Sequence, residues 1–131
     1  MNEKDLCQLA INAMQNSYSP YSKFTVGAAL LAKSGKVYTG CNIENVAFSP
    51  TVCAERTAFF KAISEGETRF KAIAIAGGKK GKFNQECMPC GVCRQVMQEF
   101  CDKEFLIITA TNEGYNKYTL EQLLPNSFNL K

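Results

Sequence analysis

The sequence contains no histidine among its 131 residues. Histidine is both the commonest metal ligand and the most frequent general acid or base in enzymes, so its absence removes imidazole from either role. Any metal site or acid–base chemistry in this chain must therefore use cysteine thiols or carboxylates.

Long apolar runs and basic clusters are also missing. No uninterrupted apolar segment approaches the roughly 20 residues that a membrane-spanning helix needs. The N-terminal stretch MNEKDLCQLA carries acidic residues and lacks the basic flank and apolar core of a secretory signal. The net charge is only +3, and Lys79 and Lys80 are the one adjacent basic pair. We therefore expect a cytoplasmic protein that has neither a membrane nor a nucleic-acid polymer as its partner.

What is present is an apolar, cysteine-rich chain. Its hydrophobic content is 46%, enough for one domain over residues 1–131 with a sizeable core. The seven cysteines are an odd number. In a reducing compartment they indicate metal binding, catalysis or simple burial rather than disulfides. Simple burial is the expectation for Cys7, Cys41 and Cys101.

Hydrophobic periodicity divides the chain into alternating helices and strands. The predicted elements are a helix within 4–17, a hairpin of strands 24–30 and 37–41, a helix over 53–64, a strand over 70–76, a helix over 90–100, a strand over 105–110, an edge strand within 111–119 and a short helix ended by Pro125. Thr51 and Thr119 are the predicted N-caps of the second and last helices. The strand over 105–110 is expected in the middle of the sheet. This order predicts one α/β layer sandwich with a mixed sheet.

Three cysteines are spaced as metal ligands. Cys90 and Cys93 lie three residues apart at a helix start, which places them on one face. Cys53 also opens a helix, and we expect the two helices to leave adjacent parallel strands whose carboxyl ends meet at one edge of the sheet. The three thiols would then converge on one ion, and tetrahedral sulfur coordination favours Zn²⁺.

The fourth ligand separates two kinds of zinc site. Cys87 in that position would make a closed, structural four-thiolate site, whereas water would make the site catalytic. Glu55 favours the catalytic alternative, because an activated water needs a group that carries its proton to a substrate nitrogen. Cys-Ala-Glu at 53–55 combined with Pro-Cys-x-x-Cys at 89–93 is the three-cysteine form of the zinc deaminase signature.

These motifs belong to longer blocks, and over nearly its whole length the chain resembles the small, homotetrameric cytidine deaminases. The blocks are SPYSKFTVGAAL (19–30), GCNIEN (40–45), CAERTAFFKAISEG (53–66), PCGVCRQ (89–95) and LLPNSF (123–128). The resemblance implies an α/β/α sandwich around a five-stranded mixed sheet and a zinc cofactor. It implies hydrolytic deamination of cytidine and deoxycytidine, with release of ammonia, in pyrimidine salvage. It further implies a homotetramer with sites completed across subunits.

The resemblance also implies a role for individual residues. Cys53, Cys90 and Cys93 correspond to the zinc ligands, and Glu55 corresponds to the proton shuttle. The implied substrate contacts are stacking on the pyrimidine by Phe24, hydrogen bonds to the ribose hydroxyls by Asn42 and Glu44, a bond from the Ala54 backbone N–H to the base carbonyl, and entry of Phe128 into a neighbouring subunit's pocket.

Three thiolates would leave excess negative charge on the zinc site. Two helix N-termini supply part of the compensation. We expect the Arg56 guanidinium to hydrogen-bond the sulfur ligands without binding the metal itself, and Arg94 is a further candidate.

Two other functions stay open: deamination of another heterocycle, and a non-catalytic zinc module held by four cysteines. The sequence departs from the family pattern at Phe48, a position that holds tyrosine in many relatives, and in the loop over 77–89.

Overall fold

The fold is taken from a computed structural model that describes residues 1–131. One mixed sheet has the strand order β2-β1-β3-β4-β5. The strands are β1 (Phe24–Ala32), β2 (Val37–Cys41), β3 (Phe70–Lys79), β4 (Leu106–Thr111) and β5 (Gly114–Thr119). Only β3 and β4 pair in parallel, and all other neighbours are antiparallel.

Helices cover both faces of this sheet. They are α1 (Glu3–Ala13), extended by one 3₁₀ turn (Met14–Asn16), α2 (Ala54–Ser64), α3 (Gly91–Phe100) and α4 (Leu120–Leu123). The core on one face joins α1 to the sheet through Leu6, Ala10 and Met14. The core on the other face includes Phe59 of α2 and Met97 of α3. The predicted α/β/α sandwich around a five-stranded mixed sheet is thus confirmed.

The position predicted for the fourth strand is wrong. β3, not β4, is the middle strand, and β4 lies between β3 and the edge strand β5. A continuous apolar run reports burial on both faces, and β3 and β4 share this property. Burial alone therefore could not tell which of the two is central.

The route by which two helix starts meet also differs from the prediction. α2 follows β2 and α3 follows β3, but β1 lies between these two strands and runs antiparallel to both. β1 therefore separates β2 from β3, and residues 42–53 connect β2 to α2. Gly40 lets α2 lie directly on β2, because a Cβ there would be 2.5 Å from the Ala54 carbonyl oxygen.

Cysteines occupy the N-cap positions of α2 and α3, where a threonine was predicted for α2. The N-cap of α2 is Cys53 and the N-cap of α3 is Cys90. Thr51 was the predicted cap of α2, but its hydroxyl accepts a hydrogen bond from the Asn45 N–H at 3.1 Å within the preceding loop. The predicted cap at Thr119 is confirmed, since its hydroxyl accepts from the Gln122 N–H. None of the helices combines the length and the apolar character that crossing a bilayer would require.

Candidate active site

Three sulfur atoms meet where α2 and α3 begin. The Sγ atoms of Cys53 and Cys90 are 3.8 Å apart, and those of Cys90 and Cys93 are 3.5 Å apart. All three lie within 4.8 Å of one another. Four ligands placed tetrahedrally at a zinc–sulfur distance of about 2.3 Å are separated by about 3.8 Å. The chemistry and the spacing of this donor set therefore fit one Zn²⁺ ion.

Cys87 lies outside this sulfur cluster. Its nearest polar partner is the Gln85 carbonyl oxygen, 3.8 Å from Sγ. Burial, together with the charges of Glu55 and Glu86, raises the pKa of the Cys87 thiol to about 11. Only the sulfurs of Cys53, Cys90 and Cys93 converge, so the structure does not assemble the closed four-thiolate site.

Positive charge surrounds the three sulfurs. Cys53 and Cys90 occupy the N-caps of their helices, so the positive ends of both helix dipoles point at the cluster. The Arg56 guanidinium donates from Nη2 to Cys53 Sγ at 3.4 Å. Burial opposes the charge on Arg56, but its bonds to Cys53 and Cys93 raise the pKa of the guanidinium. Hydrogen bonds from Cys93 and Arg56 lower the pKa of the Cys53 thiol.

The further candidate, Arg94, does not reach the sulfurs. Its Nε donates to the Pro89 carbonyl oxygen and its Nη1 to the Leu123 carbonyl oxygen, each at 2.7 Å. Arg94 therefore ties the start of α3 to the end of α4. The prediction that Arg94 could bond the sulfurs is wrong, because its guanidinium donates to two backbone carbonyl oxygens instead.

Glu55 lies in the first turn of α2 and is 4% exposed. Burial raises the pKa of its carboxyl group to about 7, and the nearby charge of Cys53 acts in the same direction. A carboxyl group with this pKa can both accept and release a proton near neutrality. The arrangement is therefore suited to proton transfer beside a metal.

A cavity of about 460 Å³ lies next to the cluster. Its lining includes four of the residues expected to contact a substrate, as well as the carboxyl group and two of the sulfurs: Phe24, Asn42, Glu44, Ala54, Glu55, Cys53 and Cys90. The volume is in the range of small-molecule sites. The fold thus brings four of the five predicted substrate contacts to one cavity, with Phe128 as the exception.

Asn42 and Glu44 also hold the cavity together, a role that sequence reasoning missed. Asn42 Oδ1 accepts from the Val26 N–H at 3.0 Å and from the Ser17 hydroxyl, and its Nδ2 donates to the Phe24 carbonyl oxygen at 2.8 Å. The Glu44 carboxylate accepts from two backbone N–H groups and one hydroxyl of the 21–22 loop. The Ser22 hydroxyl is the main reason that the pKa of Glu44 is lowered.

Phe128 lies away from the cavity of its own chain. Its side chain is 68% exposed, and its carbonyl oxygen accepts from Gln95 Nε2 at 3.0 Å. Phe48 is 82% exposed, in the loop before α2. Both aromatic rings are thus free of contacts that would bury them within one subunit.

Sequence reasoning also missed one wall of the cavity. Gln85, Glu86, Cys87 and Met88, from the connection before α3, line it. This stretch is polar and glycine-rich, so it has no periodic pattern that predicts which side chains face inward. Only the cluster of polar letters before the Pro-Cys-x-x-Cys motif could have drawn attention to it.

Comparisons with known proteins agree with one another. Residues 1–109 match the family model described as the cytidine and deoxycytidylate deaminase zinc-binding region. A cytidine deaminase of Sporosarcina psychrophila is 46% identical over 98% of this chain and 92% of that protein. One from Halalkalibacterium halodurans is 44% identical over 98% and 95%. The crystal structure of a Burkholderia pseudomallei cytidine deaminase superposes with a TM-score of 0.89 at 37% identity, covering 98% of this chain and 100% of that one.

Proposed function

This chain belongs to the cytidine and deoxycytidylate deaminase family, and we propose that Glu55 carries the protons of its reaction while Cys53, Cys90 and Cys93 hold its zinc. The chain is a zinc-dependent enzyme that deaminates cytidine hydrolytically to uridine and ammonia, consistent with pyrimidine salvage. We extend the substrates to deoxycytidine. The observation that carries the assignment of roles is the buried Glu55 carboxyl group beside three convergent sulfurs at one cavity.

The proposed chemistry divides between the cofactor and the protein. When bound, zinc supplies a Lewis acid that lowers the pKa of a coordinated water. Glu55 takes up a proton from the attacking water and passes it to N3 of the pyrimidine while the water oxygen adds to C4. Glu55 then delivers the second proton of that water to the amine, so that the C4–N bond breaks and ammonia leaves. The raised pKa of the Glu55 carboxyl group supports this exchange in both directions. Arg56 and the two helix N-termini offset the charge of the sulfur ligands.

Substrate contacts follow the cavity lining. Phe24 stacks on the pyrimidine, and the Ala54 backbone N–H bonds the base carbonyl. Asn42 and Glu44 bond the ribose hydroxyls while keeping their contacts to the protein. Asn42 has one Nδ2 hydrogen beyond the bond to Phe24, and Glu44 is an ionised acceptor, which supports this assignment. The bound partner is thus a nucleoside, with no polymer required.

Assembly and location complete the proposal. Residues 1–131 form one catalytic domain, and four copies form a homotetramer in which Phe128 enters a neighbouring cavity. The Phe128 and Phe48 rings are exposed and therefore available for such contacts. We place the enzyme in the cytoplasm, and the presence of all seven cysteines as free thiols supports a reducing compartment.

An absorbance assay for conversion of cytidine to uridine, with zinc measured by mass spectrometry, tests the assigned roles. Wild type and Cys87→Ala are expected to turn over cytidine and to hold one zinc per chain. Glu55→Ala is expected to hold zinc without turnover. A four-cysteine zinc module predicts the opposite: zinc lost in Cys87→Ala and no turnover in any form. Deamination of free cytosine at the rate of cytidine would instead favour a deaminase that does not read the ribose.

A further inference from the structure

The cavity wall before α3 is attached to the sheet at few points. The Gln85 N–H donates to the Gly77 carbonyl oxygen at 3.3 Å. The wall also lies directly on the β3 backbone. A Cβ at Gly77 would be 2.6 Å from Cys87 Sγ, and one at Gly78 would be 1.8 Å from the Lys82 carbonyl oxygen. The connection before α3 therefore packs closely against β3, and a displacement of the wall would change the cavity.

Glu86 makes the side-chain attachment of this wall. Its Oε2 accepts hydrogen bonds from the Thr109 hydroxyl, from Asn116 Nδ2 at 2.9 Å and from the Tyr118 hydroxyl at 3.3 Å. Thr109 is a fully buried residue of β4, and the other two donors belong to β5. We call Glu86 and its three donors the Glu86 clamp. Such bonds to an ionised acceptor are about twice as strong as neutral ones.

The clamp acts from behind the cavity wall. None of its three donors lines the cavity, whereas Glu86 does. The salt bridges of the protein do not include Glu86, and the residue is exposed, so its charge is compensated by the three hydrogen bonds together with solvent. The hydrogen bond from Thr109 is also the main reason that the pKa of Glu86 is lowered. An ionised carboxylate is thus held against two strands at the base of a loop that reaches the substrate site.

We propose that Glu86 is a positioning residue for the deamination reaction: through the Glu86 clamp it fixes the wall formed by residues 85–88 and thereby sets the affinity for substrate. The kinetic part of this inference rests on the proposed function. Glu86 acts through the wall and not on the reacting atoms, so the main effect of its loss falls on KM.

Kinetics of Glu86→Ala, Glu86→Gln and a matched control test the proposal. The control is Glu3→Ala, because Glu3 of α1 accepts from Tyr115 and Lys117 of the same strand β5 but does not line the cavity. Glu86→Ala removes all three hydrogen bonds of an exposed carboxylate, and KM for cytidine should rise about tenfold. Its kcat should stay within about threefold, with one zinc per chain. Glu86→Gln should restore most of the loss, because its amide oxygen still accepts.

Hydrogen exchange of the amides in 80–88 tests the clamp independently of turnover. Glu86→Ala should exchange faster there by about tenfold, and Glu3→Ala should not. If the wild type does not deaminate cytidine, the proposed function fails while this measurement still decides on the clamp. Unchanged KM and unchanged exchange in Glu86→Ala, or equal changes in Glu3→Ala, would overturn the proposal. If Glu86→Ala does not fold, Tyr118→Phe takes its place in both measurements, with a smaller effect in the same direction expected.

Discussion

Replacement of Arg56 by glutamine removes the one side-chain cation that touches the sulfur cluster. The guanidinium donates to Cys53 Sγ at 3.4 Å, and its Nε is buried without a partner. Without this charge, the sulfurs should donate more electron density to the metal and weaken its Lewis acidity. We therefore expect Arg56→Gln to retain zinc but to turn over cytidine more slowly.

The size of the effect follows from the contact. A hydrogen bond to a charged group contributes about 1.5–3 kcal/mol, and the partial exposure of Arg56 favours the lower end. About 1.4 kcal/mol corresponds to one pH unit and to a tenfold change in rate. Removing a positive charge stabilises protonated forms, so the rising limb of the profile of kcat/KM against pH should move to higher pH by about one unit. At neutral pH, kcat should fall about tenfold.

The assay is the conversion of cytidine to uridine from pH 5 to pH 9, with zinc content measured on the same samples. Arg94→Gln is the matched control, because Arg94 is also close to a cysteine ligand but donates to the carbonyl oxygens of Pro89 and Leu123. It should lower the thermal stability without moving the pH profile. Full zinc content with an unchanged kcat and an unchanged profile in Arg56→Gln would refute the reasoning.

Further predictions concern packing and thiol reactivity. Gly40→Ala places a Cβ 2.5 Å from the Ala54 carbonyl oxygen and should destabilise the fold by about 1–3 kcal/mol, seen as a lower Tm. Gly91→Ala is the control, because open space surrounds Gly91 and its Tm should not fall. Equal Tm values for the two variants would contradict the close packing of α2 on β2. Burial raises the pKa of Cys87 to about 11 and that of Cys101 to about 12. Iodoacetamide labelling of both thiols, followed by mass spectrometry, should therefore be slow at pH 8 and accelerate about tenfold per pH unit; fast labelling at pH 7 would contradict this.

The elements of the fold could be predicted because their signals are local. The alternation in β1 and the helical spacing of Leu6 and Ala10 need no tertiary information. The order of the strands could not be predicted in the same way. β3 and β4 are both apolar and buried, and only their neighbours distinguish them. Likewise, Cys53 and not Thr51 is the N-cap of α2, because the Thr51 hydroxyl accepts a hydrogen bond from the Asn45 N–H in the preceding loop.

The same distinction between local and distant contacts applies to the residues of the candidate site. Cys53, Glu55 and Cys90 could be identified because their motifs are short and their spacing is set by a helix. The partners of Arg94 and Glu86 could not, since each side chain bonds at least one group 23 or more residues away in the chain. Contacts of this kind depend on how the sheet brings distant segments together, which no local pattern reports.

The central claim is that Glu55 transfers protons beside a zinc ion that it does not bind. Glu55→Gln preserves the shape of the side chain and removes its ability to accept a proton, so zinc stoichiometry and turnover measured on one preparation test the claim directly. We predict one zinc per chain with kcat for cytidine lowered by roughly 10²–10⁴, the range of general acid–base catalysis. Turnover within about threefold of wild type, or loss of the zinc, would contradict the account.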